Sequence, residues 1–130
     1  EHILGILERL MGPEHPDTLA IRGNVASDYG AIGRYNEAIE LDEVSLGVRE
    51  RVQGAEHPDT LVSRNNLALC YREVGRLDEA IKLDEGTRQA RERVLGAEHP
   101  DTRSTRHNLA ICYRKAGRSR GADELEANET

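Results

Sequence analysis

The sequence predicts an all-α protein, a solenoid of stacked antiparallel helix pairs, on three observations. Glu14-His15-Pro16-Asp17-Thr18 recurs as Glu56-His57-Pro58-Asp59-Thr60 and as Glu98-His99-Pro100-Asp101-Thr102, at a constant spacing of 42 residues. Arg22, Asn24, Ala26, Tyr29 and Gly33 recur at the same offset as Arg64, Asn66, Ala68, Tyr71 and Gly75, then as Arg106, Asn108, Ala110, Tyr113 and Gly117, which is the signature of a repeat architecture. Finally, apolar residues within each repeat follow the helical period between a proline start and a glycine stop, and no segment reads as a strand.

Taken in order, residues 1–12 align with 43–54 after adding 42 and so read as the trailing half of a second helix. Each full unit then opens at Pro, which suits the first helical position, with the adjacent Asp in the turn where the helix dipole favours negative charge. The first helix carries Val25, Ala26, Tyr29 and Ile32 in one unit and Leu67, Ala68, Tyr71 and Val74 in the next. Gly33, Gly75 or Gly117 ends it, because glycine adopts the left-handed conformation at no steric cost. The second helix carries Ala38, Leu41, Val48 and Val52, then Ala80, Leu83, Ala90 and Val94, and closes at Gly54 or Gly96. The predicted helices are 1–11, 16–32, 35–53, 58–74, 77–95, 100–116 and 119–128. The units are 13–54, 55–96 and a truncated 97–130, within a single array over 1–130. Both ends read as cut from something larger.

A connection of about two residues forces the helices of a unit antiparallel, and small alanines at 26, 38, 68 and 80 let them approach closely. One hairpin cannot bury its own stripe, so neighbours must stack into a curved solenoid with an inner and an outer face. That architecture suits a chain with no Trp, no Phe and only 3% aromatic residues, for which a large globular core is excluded.

Composition also narrows function. With 24 acidic against 18 basic residues, the chain lacks the electrostatic drive for nucleic acid. No apolar run approaches the roughly 18 to 20 residues needed to cross a bilayer. Cys70 and Cys112, outside any CxxC spacing, read as small buried hydrophobes in a reducing, cytoplasmic setting. The three Glu-His-Pro-Asp loops resemble metal ligands in composition, but a stacking step of about 10 Å keeps them from converging. The histidines are therefore expected to pack or hydrogen-bond at hairpin junctions. His107 with Ser104 and Thr105 reads as surface, so no catalytic residue, metal or cofactor is assigned. Asp42-Glu43, Asp84-Glu85, Glu50-Arg51 and Glu92-Arg93 read as a solvated outer face. Asn24, Asn66 and Asn108 are expected to hold the adjoining loop rather than line a groove.

The run Asn66-Leu67-Ala68, with Tyr71, Gly75-Arg76-Leu77, Glu79-Ala80 and the preceding Glu56-His57-Pro58-Asp59, resembles the tetratricopeptide repeat in its 42-residue kinesin-light-chain-like form. In the wording of Arg93 to Thr102 it is similar to repeats of large bacterial signalling proteins of the NB-ARC/STAND type, where arrays follow a nucleotide-binding switch domain. The resemblance implies a right-handed superhelix whose inner face, lined by the first helix of each pair, binds a peptide.

On that face the second unit presents Asn65, Leu69 and Arg72, the third His107, Ile111, Arg114 and Lys115, and the first a shallow floor of small residues. The expectation is a protein-interaction module holding a protein or peptide ligand, acidic or mixed apolar-acidic, across units two and three, with Arg72 and Arg114 on its carboxylates. The alternative is a structural spacer or self-association element pairing through its stack ends, at Leu4, Ile6 and Leu7 or at the last helix.

Overall fold

The computed structural model describes residues 2–127, which form seven helices and no strand: α1 (His2–Met11), α2 (Pro16–Ala31), α3 (Tyr35–Val52), α4 (Pro58–Glu73), α5 (Leu77–Leu95), α6 (Pro100–Lys115) and α7 (Ser119–Ala127). Residues 1 and 128 of the predicted end helices lie outside the described residues. All other boundaries agree with the sequence reading to within about one residue.

The repeated pentapeptide is a helix start. At α2, α4 and α6 the N-cap is His15, His57 or His99, whose imidazole Nδ1 accepts the backbone N–H of Asp17, Asp59 or Asp101 at 3.1 Å. That bond satisfies one of the orphan donors of the first turn. The histidines thus hydrogen-bond at the junctions, as expected.

The first helices end in Schellman motifs. Gly33, Gly75 and Gly117 take φ of 83°, 84° and 77°. The N–H groups of Arg34, Arg76 and Arg118 then reach back to the carbonyls of Tyr29, Tyr71 and Tyr113 at 2.8, 2.8 and 2.7 Å. The same reversal lays each guanidinium over the tyrosine ring, 4.9, 4.4 and 4.6 Å from its centroid. One turn therefore fixes a hairpin and a cation–π contact together.

Each helix packs on its sequence neighbour; in addition α2 approaches α4 and α4 approaches α6, whereas α3 does not touch α5. The first helices of successive hairpins therefore line the inner side of the curve and the second helices the outer side. A continuous core runs through Ala38, Ile39, Leu46, Leu67, Tyr71, Ala80, Ile81, Leu109, Ala110 and Tyr113, with Cys70 and Cys112 buried in it as free thiols.

The predicted second-helix stripe needs correction. Val52 and Val94 are exposed, while Ile39, Ile81 and Leu46 are buried. Each second helix is wedged between its own first helix and the next one, so its buried face is wide and includes Asp42, Ser45, Asp84 and Thr87. Ile32, at the C-cap of α2, is likewise exposed. At the leading end Leu4 is buried, and the exposed apolar side chains of α1 are Ile3, Leu10 and Met11.

Ion pairs recur with the repeat. Arg22, Arg64 and Arg106 reach back to Glu8, Glu50 and Glu92 at 3.0, 3.4 and 3.5 Å, tying each first helix to the preceding second helix. Arg51 and Arg93 pair with Glu14 and Glu56 of their own loops. Glu50 and Glu92 are thus half-buried partners of the next hairpin, not free outer-face charges.

Candidate binding groove on the inner face

The inner face is hollowed between α2 and α4. Two hollows of about 350 and 340 Å³ adjoin there, sharing Ser27, Asp42 and Asn66. One runs past Ala26, Gly30 and Leu69, the other past Ala20, Gly23 and Val62. The space exists because α2 places Gly23, Ser27 and Gly30 where α4 has Asn65, Leu69 and Arg72. The small residues read as a shallow floor are what leaves this space open.

The expected site residues divide along this line. Leu69 and Arg72 line the first hollow. Asn65 accepts a hydrogen bond from the Asn108 amide at 3.2 Å, bridging α4 to α6. His107 borders a shallow depression of the third unit with Pro100, Arg103 and Ser104. Ile111 is half-buried, and Lys115 is exposed. The asparagines do not follow the loop-bonding expectation: Asn66 borders both hollows and Asn24 one, while Asn108 bonds Asn65.

Neither expected arginine stands free on the surface. The Arg72 side chain is only 15% exposed; it lies against the Cys112 thiol and acts on the Asp84 carboxylate of α5. Arg114 is bonded to Glu126 of α7 and stands 3.4 Å from Asp123. The acids twelve positions on, Asp84 and Glu126, belong to a different helix, so spacing along one helix does not bring them beside these cations.

Two acids the sequence reading placed outside are buried. Asp42 is 6% and Asp84 2% exposed. Burial pushes Asp42 up to about 6. It pushes Asp84 up to about 7, against the opposing pull of the Cys112 thiol, Arg72 and Arg91. Burial, with the charges of Asp42 and Glu73, raises the Cys70 thiol to about 11, and Cys112 rises similarly. Both thiols stay protonated and unreactive at neutral pH. Among the described residues no three His, Cys, Asp or Glu side chains come together as a metal site, and no helix is long and apolar enough to cross a membrane.

These features define a helical-hairpin repeat solenoid with a lined inner channel. A model of the tetratricopeptide repeat matches residues 24–85 and 59–126, and the chain belongs to that family, whose members are right-handed non-enzymatic repeat scaffolds that generally mediate protein–protein interaction. Protein KINESIN LIGHT CHAIN-RELATED 2 of Arabidopsis thaliana is 55% identical over 38 residues, 29% of this chain and 6% of that protein. Protein KINESIN LIGHT CHAIN-RELATED 3 of the same plant is 53% identical over 36 residues, again 6% of its length. The chain therefore spans only a small part of these relatives. Among solved structures, the nearly identical TPR-like repeats of a Podosopora anserina protein described as a kinesin light chain superpose with a TM-score of 0.92 at 31% identity, over 98% of this chain and 60% of that one. BtubC (BKLC) from P. vanneervenii has the same fold, with a TM-score of 0.87 at 20% identity over 97% of this chain and 50% of that one.

Proposed function

We propose that the chain is a protein-interaction module that holds a peptide segment of a partner along its inner face, in the channel between α2 and α4 and onward across α6. The observation that carries this reading is the pair of adjoining hollows, which together offer apolar walls at Leu69, Val62 and Ala26 and the side-chain amide of Asn66 beside them. An amide gives a bound backbone both a donor and an acceptor, and apolar walls beside it exclude water from those bonds. Arg114 is bonded to Glu126, and Arg72 stands 3.6 Å from Glu73, so both cations have acids of the chain beside them.

The test is a peptide array followed by fluorescence titration of the recovered sequences. Asn66→Ala and Leu69→Asp should weaken binding by about tenfold or more, while Lys82→Glu, which alters the outer hollow beside Glu43, Glu79 and Leu83, should leave it unchanged. Loss in Lys82→Glu alone would move the site to the outer face. A second reading, pairing of copies through stack ends, draws on the exposed Ile3, Leu10 and Met11 of α1. Sedimentation velocity at rising concentration tests it, a constant monomer refuting it.

A further inference from the structure

The 42-residue lattice puts one acid in each second helix at the same place: Asp42 in α3, Asp84 in α5 and Glu126 in α7. Twelve residues before each acid, on the inner face of the partner helix, stand Gly30, Arg72 and Arg114. In the third unit the guanidinium of Arg114 bonds Glu126 directly. In the second, the largely buried Arg72 acts on Asp84. In the first unit the acid is retained and the arginine is absent. Asp42, 6% exposed, has no cationic side chain paired with it among the described residues.

The missing side chain leaves a space. A Cβ built on Gly30 would meet nothing closer than the Cys70 Sγ at 3.9 Å, an ordinary contact. Beyond it opens the hollow of about 350 Å³ bordered by Asp42 and Tyr35 on one side and on the other by Glu73 and Arg72, which stand 3.6 Å from each other. Its volume is roughly ten times the ~30 Å³ share of one water, so it accommodates a long side chain. Resting on the proposed peptide-binding role, we infer that this hollow is a receptor for a guanidinium: an arginine of the bound partner enters beside Gly30 and meets Asp42, as Arg114 meets Glu126 within the chain. Planar guanidinium suits the site better than ammonium, because it is more weakly hydrated, carries a fork of donors for a carboxylate and stacks on an aromatic face such as Tyr35.

The test uses the 130-residue chain and three blocked amino acids, Nα-acetyl-arginine methylamide and its citrulline and lysine counterparts, followed by amide NMR shifts. The arginine compound should shift Gly30, Asp42 and Cys70 saturably. Citrulline, isosteric but uncharged, should not, and lysine should bind about tenfold more weakly. Asp42→Asn should abolish the arginine shifts. A second arm fills the hollow from within: Gly30→Arg should block the probe and melt at a higher temperature than Gly30→Gln, which controls for helix propensity, and Asp42→Asn should erase that difference. Equal shifts with arginine and citrulline, no shift to the solubility limit of the arginine compound, or a Gly30→Arg advantage that survives Asp42→Asn would each overturn the assignment. If array peptides bind Gly30→Arg as they bind the unaltered chain, the groove stands and the guanidinium receptor falls. If the arginine probe seats while no peptide responds to Asn66→Ala or Leu69→Asp, the groove falls and the receptor stands.

Discussion

Replacing Asp42 by asparagine should stabilise the protein at neutral pH and leave it nearly unchanged in acid. Burial raises the folded-state value of Asp42 from 3.8 to about 6. A group whose folded value is raised in this direction holds its proton more tightly in the native state. The contribution of Asp42 to stability is therefore greatest below pH 3.8, falls as the unfolded chain ionises first, and levels off once the native carboxyl also ionises near pH 6. At about 1.4 kcal/mol per tenfold change in the proton equilibrium, an ionised Asp42 costs about 3 kcal/mol at pH 7. Asparagine keeps the shape and carries no charge, so Asp42→Asn should exceed the unaltered chain by about 2 to 3 kcal/mol at pH 7 and by under about 0.5 at pH 3.5. The measurement is urea unfolding followed by circular dichroism at half-unit steps from pH 3.5 to 8, taken as the difference between the two chains. The difference cancels the other acids, including Asp84, which is displaced in the same direction. Parallel curves would show that Asp42 keeps a normal affinity for its proton, and a variant weaker at pH 7 would show that the native carboxylate has a compensating cation.

Three further outcomes follow from the repeat geometry. Tyr71→Ala, which empties a 6%-exposed site and removes the bond to Glu43 and the Arg76 stack, should cost about 3 to 5 kcal/mol in urea unfolding. Arg106→Ala takes a 4%-exposed guanidinium from the Ala97 carbonyl, 2.7 Å away, and from Glu92. Because Glu92 is 32% exposed and stays paired with Arg88, the expected loss in urea unfolding is about 2 kcal/mol rather than the 3 to 5 of a fully buried pair. His99→Ala should cost about 1 kcal/mol and speed hydrogen exchange at the Asp101 amide, whereas His99→Asn should keep most of the cap.

Whatever repeats in this chain was legible, and whatever lies between helices was less so. Pro16, Pro58 and Pro100 with their following glycines are local signals, and they placed the helix ends to within about one residue. The second-helix stripe was misread because periodicity favours apolar positions such as Val52 and Val94, whereas packing between two first helices buries Asp42 and Ser45 as well. Polar burial leaves no mark in a hydropathy pattern. Arg22, Arg64 and Arg106 were visible as a repeated position, yet their partners Glu8, Glu50 and Glu92 lie fourteen residues away on another helix, a separation set by the hairpin stack. On the inner face, the helix that carries Leu69 and Arg72, both at the border of a hollow, was legible. The hollow was not, because a floor of glycine and serine becomes one only when the neighbouring helix supplies its wall.

The lattice itself separates the residues that build the array from those that distinguish one unit from another. Positions constant at every step, such as the His caps, the tyrosines under their arginines and the Arg–Glu ties, serve stacking, since every junction must satisfy the same geometry. A position that changes while its partner stays the same leaves a physical mismatch. Gly30 is such a position: its acid persists at Asp42 although the arginine of the next two units is absent. A purely structural array would gain by losing that acid too, for a buried carboxylate without a cation is destabilising at neutral pH. Under the proposed guanidinium receptor, its retention beside an open hollow gives the first unit a ligand preference of its own, set where Gly30 leaves room for the incoming side chain.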